Sequence, residues 1–249
     1  MQVISNFFGS VMRFIYQTVS QMFPEPEFIS YFAISIMVMT VLYKLITLPI
    51  TISTIKTQEI NAKIQPEMQK IQKKYKNNPE IQQQKIMELQ KEHGYNPLMG
   101  CLPMILQLVL VYALFRVMRT PEAYMFGSGV DMDTIARNFF WIPNLSNPDP
   151  IIFGLPLING LTQYLMFTIM QPKSSGEGNE MMQSMNTSMK YVMPVMIFIM
   201  TRTFAAGLAL YWAFGNVIEI IFRLIIKRRD RGKSVKELEK DVSEKGKDK

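Results

Sequence analysis

The apolar residues of this chain fall into long runs, and its charged residues collect between them. The runs lie at 28–50, 98–118, 150–171 and 190–226, each near or above the roughly 20 residues needed to cross a bilayer. A water-soluble domain of this size would bury one core beneath shorter apolar stretches. With 48% hydrophobic residues arranged this way, the chain reads as an all-α integral membrane protein.

The last run has to be two spans. At 1.5 Å per residue, a single helix over 190–226 would measure about 55 Å, against a hydrocarbon core of about 30 Å. The turn belongs near Arg202 to Gly207, its polar, Gly-bearing break. The expected total is therefore five transmembrane helices.

The connecting segments have their own patterns. In 3–23, Val3, Ile4, Phe7, Phe8, Val11, Met12, Ile15, Val19 and Met22 recur at spacings of three and four. Ser5, Asn6, Ser10, Arg13, Gln17 and Gln21 fill the other face. This pattern predicts an amphipathic helix lying in the membrane interface rather than crossing it. The alternatives are an uncleaved first span or a signal peptide, and the latter lacks a continuous apolar stretch and a small-residue cleavage site. Pro24 and Pro26 break the helix.

The segment 51–97 is polar and Lys-rich. Ile60, Ile64, Met68, Ile71 and Tyr75 form one helical stripe, with Pro66 marking a start or a kink. Asn78-Pro79-Glu80 reads as an N-cap, a first-turn proline and a first-turn acid, and Gly94 as the stop of a second helix. The expectation is a helical hairpin outside the membrane. The expected organisation is an interfacial helix over 1–27, a five-span core over 28–226 and a basic, unstructured tail over 227–249.

Charge orients these pieces. Lys and Arg number eight in 51–97, two in 119–150 and ten from Lys227 onward. The positive-inside rule then places the first loop and the tail in the cytoplasm and the N-terminus outside. The net charge of +7 fits this asymmetry, so no DNA partner is inferred. One cysteine, Cys101, excludes an internal disulfide, and one histidine, His93, excludes a multi-His metal site. Gly232-Lys233-Ser234 is not a phosphate loop, because Lys227 stands where such a loop needs its first glycine. No catalytic triad is visible; the expectation is a protein that is not an enzyme and has no cofactor.

Two ionisable residues lie inside spans. Lys44 sits six residues before Ile50, about 9 Å inside the boundary, and Glu219 sits seven before Ile226, about 10 Å inside. Their spans run in the same direction, so the two side chains share a depth. A buried charge left alone is strongly unfavourable, which motivates a pair between them. The competing reading is that each snorkels to the headgroups. Gln107, Gln163, Trp212 and Asn216 are further polar residues inside spans, suited either to lining a cavity or to hydrogen bonds between helices. A small solute transporter or channel would carry the same kind of set. Transporters often show internal repeats, and five spans do not divide evenly.

Several segments resemble the YidC/Oxa/Alb insertase family. They are NPLMGCLPMILQLVLVYALFRVM (96–118), FFWIPNLSNPDP (139–150), MKYVMPVMIFIM (189–200) and AGLALYWAFGNVIEIIF (206–222). They fall in the family's order across about 28–226, and the match is to the short form similar to that of Gram-positive bacteria. This chain departs from the family with Lys44 in place of an arginine, Ala205 in place of a proline and Glu219 in place of a small polar residue. With no N-terminal cysteine, no lipid anchor is expected. The resemblance implies a membrane insertase and chaperone working without nucleotide hydrolysis. It implies a groove open to cytosol and lipid, with Lys44 at its centre; Gln107, Gln163, Trp212, Asn216 and Glu219, polar residues inside spans, are the candidates to line the same groove. The partners it implies are nascent membrane proteins and membrane lipids, with the ribosome and the secretion channel as further candidates.

Overall fold

A computed structural model describes residues 2–95, 98–127, 129–170 and 187–245, without the side chains of 98–101, 170 and 230–245. Its helices are α1 (Gln2–Met22), α2 (Tyr31–Lys74), α3 (Pro79–Glu92), α4 (Leu98–Arg119), α5 (Leu155–Met170), α6 (Met193–Thr203) and α7 (Ala206–Lys245). Short π-helical turns at Glu122–Phe126 and Ser188–Val192 follow α4 and precede α6. Among the described residues the β structure is limited to isolated bridges. The connection expected at 172–187 lies, apart from Thr187, outside the described residues, as do Asn96 and Pro97.

α2 differs from the expected boundary at 50/51. It runs unbroken for 44 residues, through Pro49 and Pro66. Each proline removes one helical N–H, but neither ends the helix. At about 66 Å it is twice as long as a hydrocarbon core is thick. Its N-terminal half is the apolar run, and its C-terminal half carries the stripe of Ile64, Met68 and Ile71. α3 packs back on that stripe through Leu89, with Ile86 and Tyr95 beside it. Asn78 caps α3 by accepting from the Ile81 N–H at 3.3 Å, and Pro79 occupies the first turn. Gly94 closes the helix with φ 64°, a conformation that costs glycine little.

Among the described residues three helices are long and apolar enough to cross a membrane: Tyr31–Lys74, Leu102–Arg119 and Ala206–Arg229. α5 and the Ser188–Thr203 stretch each reach about 24 Å. The break between α6 and α7 falls at Phe204 and Ala205, within the Arg202–Gly207 interval. α7 continues helical to Lys245, across the tail expected to be unstructured. No proline interrupts this stretch.

α1 docks through one edge of its apolar face, where Met12, Ile15 and Val19 continue into the small residues Ser5 and Gly9. Ser5, Gly9, Met12, Ile15 and Val19 are buried, while Val3, Phe7, Phe14 and Met22 remain exposed. Gly9 sets this orientation, because a Cβ there would stand 2.8 Å from the Tyr124 Cβ and closer still to its carbonyl oxygen. Arg13 donates from Nε to the Met125 carbonyl, fixing α1 on the turn after α4.

The close-packed core occupies one end of the bundle. It gathers Met12 from α1, Phe32 and Ile36 from α2, Leu114 and Met118 from α4, Ile142 and Leu145 from the loop, and Leu208 and Tyr211 from α7. The 137–154 loop closes this end. Ser30 caps α2 through Ala33 and donates to the Asn138 carbonyl at 2.8 Å. Asp149 is buried, and its carboxylate accepts from Trp141 Nε1 at 3.1 Å, the Ile151 N–H at 2.9 Å and the Leu155 N–H at 2.7 Å. Arg202 donates to the Asp149 carbonyl at 2.6 Å, tying the start of α5 to the end of α6.

Removing a buried carboxylate that serves three donors, the Leu155 N–H among them buried, leaves that N–H unsatisfied and unties the loop. Asp149→Ala is expected to cost about 3 kcal/mol or more, read as a lowered Tm in detergent. An unchanged Tm would show that the loop is not what holds this end together.

Candidate functional site

Beyond the packed core, α2, α4, α5 and α7 diverge around a partly open cavity of about 240 Å³. The residues that make it polar sit one turn apart on their helices. Lys44, Thr47 and Thr51 follow one face of α2 at spacings of three and four, and Trp212, Asn216, Glu219 and Arg223 follow one face of α7. Gly215, also on the wall, leaves room for the Lys44 stem: a Cβ there would sit 3.5 Å from Lys44 Cε.

All six residues singled out in the sequence line this cavity: Lys44, Gln107, Gln163, Trp212, Asn216 and Glu219. Lys44 Nζ lies 3.1 Å from Glu219 Oε2. The Lys44 side chain is 13% exposed and that of Glu219 is 7% exposed, so neither snorkels free of the fold. Gln107 Oε1 accepts from the Tyr211 hydroxyl at 3.1 Å. Asn216 Nδ2 donates to Gln163 Oε1 at 3.3 Å and to Thr162 Oγ1 at 3.2 Å. For Gln107, Gln163 and Asn216 the two roles considered therefore coincide: they face the cavity and also hydrogen-bond between helices.

Sequence reading missed Arg223. Its Nε donates to Glu219 Oε1 at 3.0 Å and an NH1 proton goes to Gln58 Oε1 at 3.2 Å. Glu219 thus bridges two cations, with Thr51 Oγ1 3.5 Å from Oε2. The available signal was the i,i+4 spacing of Glu219 and Arg223, masked by the proximity of Arg223 to the basic tail. Lys44 and Thr47 were legible too, as polar residues one turn apart in an otherwise apolar run, with Thr51 and Gln58 continuing the same face into the polar segment beyond it.

The outward faces of the same helices are apolar. Leu42, Leu45 and Ile46 on α2, Met104, Ile105 and Leu108 on α4, and Val217, Ile221 and Leu224 on α7 are exposed. A contiguous belt of this kind would drive association in water; acyl chains solvate it. Among the described residues no His/Cys/Asp/Glu group is arranged to hold a metal.

An apolar outer belt around a charged, hydrogen-bonded interior cavity defines a helical membrane protein with a polar notch. Comparison with known proteins gives the family. Residues 25–233 match the family described as 60Kd inner membrane protein. The chain is 35% identical over 215 residues to a membrane protein insertase YidC of Clostridium perfringens, with 85% of each chain covered. It is 33% identical over 229 residues to a membrane protein insertase YidC of Fusobacterium nucleatum, covering 92% of this chain and 99% of that one. A membrane protein insertase YidC of Clostridium tetani is 34% identical over 231 residues, with 93% and 96% covered. The chain belongs to the YidC/Oxa family.

Because Glu219 serves both cations, its loss is expected to hurt more than the loss of either partner. Glu219→Ala leaves two buried positive charges facing each other and is expected to cost about 3–5 kcal/mol. Lys44→Ala leaves the Glu219–Arg223 pair intact and should cost less. Thermal unfolding of both variants in detergent checks this order, and equal losses would contradict it.

Proposed function

We propose that this protein is a membrane protein insertase that passes hydrophobic segments and short polar tails of client proteins into the bilayer through the cavity. The observation that carries the reading is a charged cavity between helices whose outward faces are apolar and exposed. Membership in the YidC/Oxa family supports it.

The physics of the task is a matter of desolvation. Placing one charged side chain at mid-bilayer costs roughly 2.5–3.5 kcal/mol on insertion scales. A notch lined by Lys44, Gln107, Gln163, Trp212, Asn216 and Glu219 offers a passing tail hydrogen bonds and charge at that depth. The hydrophobic part of the client then partitions sideways into lipid, and that transfer supplies the driving force without nucleotide hydrolysis. The work is binding and release, with no bond made or broken.

The proposed topology has five spans, with the N-terminus outside and the C-terminus in the cytoplasm. It follows from the Lys and Arg asymmetry of the loops. In this arrangement the C-terminal half of α2 and the antiparallel α3 project into the cytoplasm and receive clients. α1 lies in the outer interface with Val3, Phe7 and Phe14 toward lipid. The basic end of α7 suits contact with anionic lipid or with ribosomal RNA through phosphates. Nascent membrane proteins are the proposed clients, and the ribosome and the secretion channel are proposed partners.

The test is insertion of a single-span client with an acidic tail into proteoliposomes, scored by protease protection. Wild type should insert well above empty liposomes. Lys44→Ala should lower insertion about tenfold, the equivalent of about 1.4 kcal/mol. Folded protein that inserts no more than empty liposomes would overturn the insertase reading, and solute flux into the same vesicles would point to a transporter.

A further inference from the structure

The cavity is one negative charge short of neutral. Lys44 and Arg223 bring two positive charges, and Glu219, the one acid among the described lining residues, brings one negative charge. Glu219 divides its carboxylate between them, with Oε2 3.1 Å from Lys44 Nζ and Oε1 3.0 Å from Arg223 Nε. The two contacts differ in permanence. Arg223 stands one turn along the same helix, so no relative motion of helices separates it from Glu219. It is also anchored through Gln58 at 3.2 Å. Lys44 reaches across from α2 on a flexible four-carbon stem, held to Glu219 by its Nζ contact. The Lys44 contact can therefore be given up while Glu219 stays paired.

We propose that Glu219 is a resident counterion occupying the seat of a client carboxylate on Lys44, and that client loading is an exchange of ion pairs. The client's aspartate or glutamate takes Lys44, and Arg223 retains Glu219. The proposal rests on the insertase reading and concerns how Lys44 is released from its own counterion when an acidic tail arrives. The exchange leaves no buried charge alone. Empty, Lys44 is neutralised by Glu219; loaded, the site holds two cations and two anions and is neutral. This matters because an isolated buried charge is far more costly than a paired one. Arg223 is a positioning residue, acting through Glu219 rather than on the client.

The experiment uses reconstituted full-length protein and two clients that differ only in one tail residue, Asp or Asn. The readout is the ratio of protease-protected Asp client to Asn client. Wild type should favour the Asp client several-fold. In Arg223→Gln, Glu219 has lost the partner that lets it leave Lys44, and the ratio should fall to about one. Adding Glu219→Gln to Arg223→Gln frees Lys44 and should restore the ratio to the wild-type value or above. This double variant keeps the cavity's net charge, and a restored preference is a gain that misfolding does not produce. If Arg223→Gln alone does not fold, the double variant against wild type decides, and a ratio below wild type overturns the proposal. A ratio unaffected by Arg223→Gln, or not restored in the double variant, also overturns it and leaves the insertase reading standing. Failure of wild type to insert either client above empty liposomes refutes the insertase reading itself.

Discussion

Glu219 holds the bundle's polar half together. Its carboxylate is where α2 and α7 meet chemically, through Lys44, Thr51 and Arg223. Two cations at this depth repel each other and lose hydration, and one bridging anion offsets both costs. The rest of the cavity follows from keeping that trio satisfied. Gly215 gives the Lys44 stem space, Gln58 takes up the outer face of Arg223, and Gln107, Gln163 and Asn216 find partners across helices. The polar groups of the wall pair with one another because each would otherwise lose hydrogen bonds on leaving bulk water.

The opposite end of the bundle makes this possible by being dry and fixed. Phe32, Ile36, Leu114, Met118 and Leu145 pack together in the apolar core, and Gly207 lets α7 approach Met118 and Ile36 closely. The Asp149 carboxylate and the Arg202 guanidinium lock the loop over the helix ends. α2 and α7 are held at that end and separated around the cavity at the other. A client taken up by the proposed groove would then meet a bundle that gives way on its polar side alone.

Much of this was legible in the sequence, and for physical reasons. Apolar runs and charge blocks announced the helices, because a bilayer tolerates little else. Equal depth placed Lys44 and Glu219 at one level, and the ion pair joins them there. The Asn78-Pro79 start and Gly94 stop of α3 were legible because capping is a local interaction. What escaped depended on tertiary contact. The apolar face of α1 was legible, but not that its Met12–Ile15–Val19 edge would dock through Gly9 against Tyr124. Pro49 reads as a boundary by propensity, yet α2 continues to Lys74 and packs its far half on α3. Arg223 was hidden by counting charge from Lys227 onward when its partner lay one turn back on the same helix.

The central claim is a water-accessible polar cavity inside an apolar belt. It is tested by placing single cysteines in a Cys101→Ser background, at the cavity positions Thr47 and Gln163 and at the lipid-facing positions Leu42 and Val217. Reaction with a charged, membrane-impermeant thiol reagent is then measured in sealed vesicles of each orientation. The account predicts rapid labelling at Thr47 and Gln163 from the side bearing α3, and no labelling at Leu42 or Val217 from either side. Cavity cysteines as unreactive as the lipid-facing ones would mean that the notch is dry and closed, and the account would be wrong.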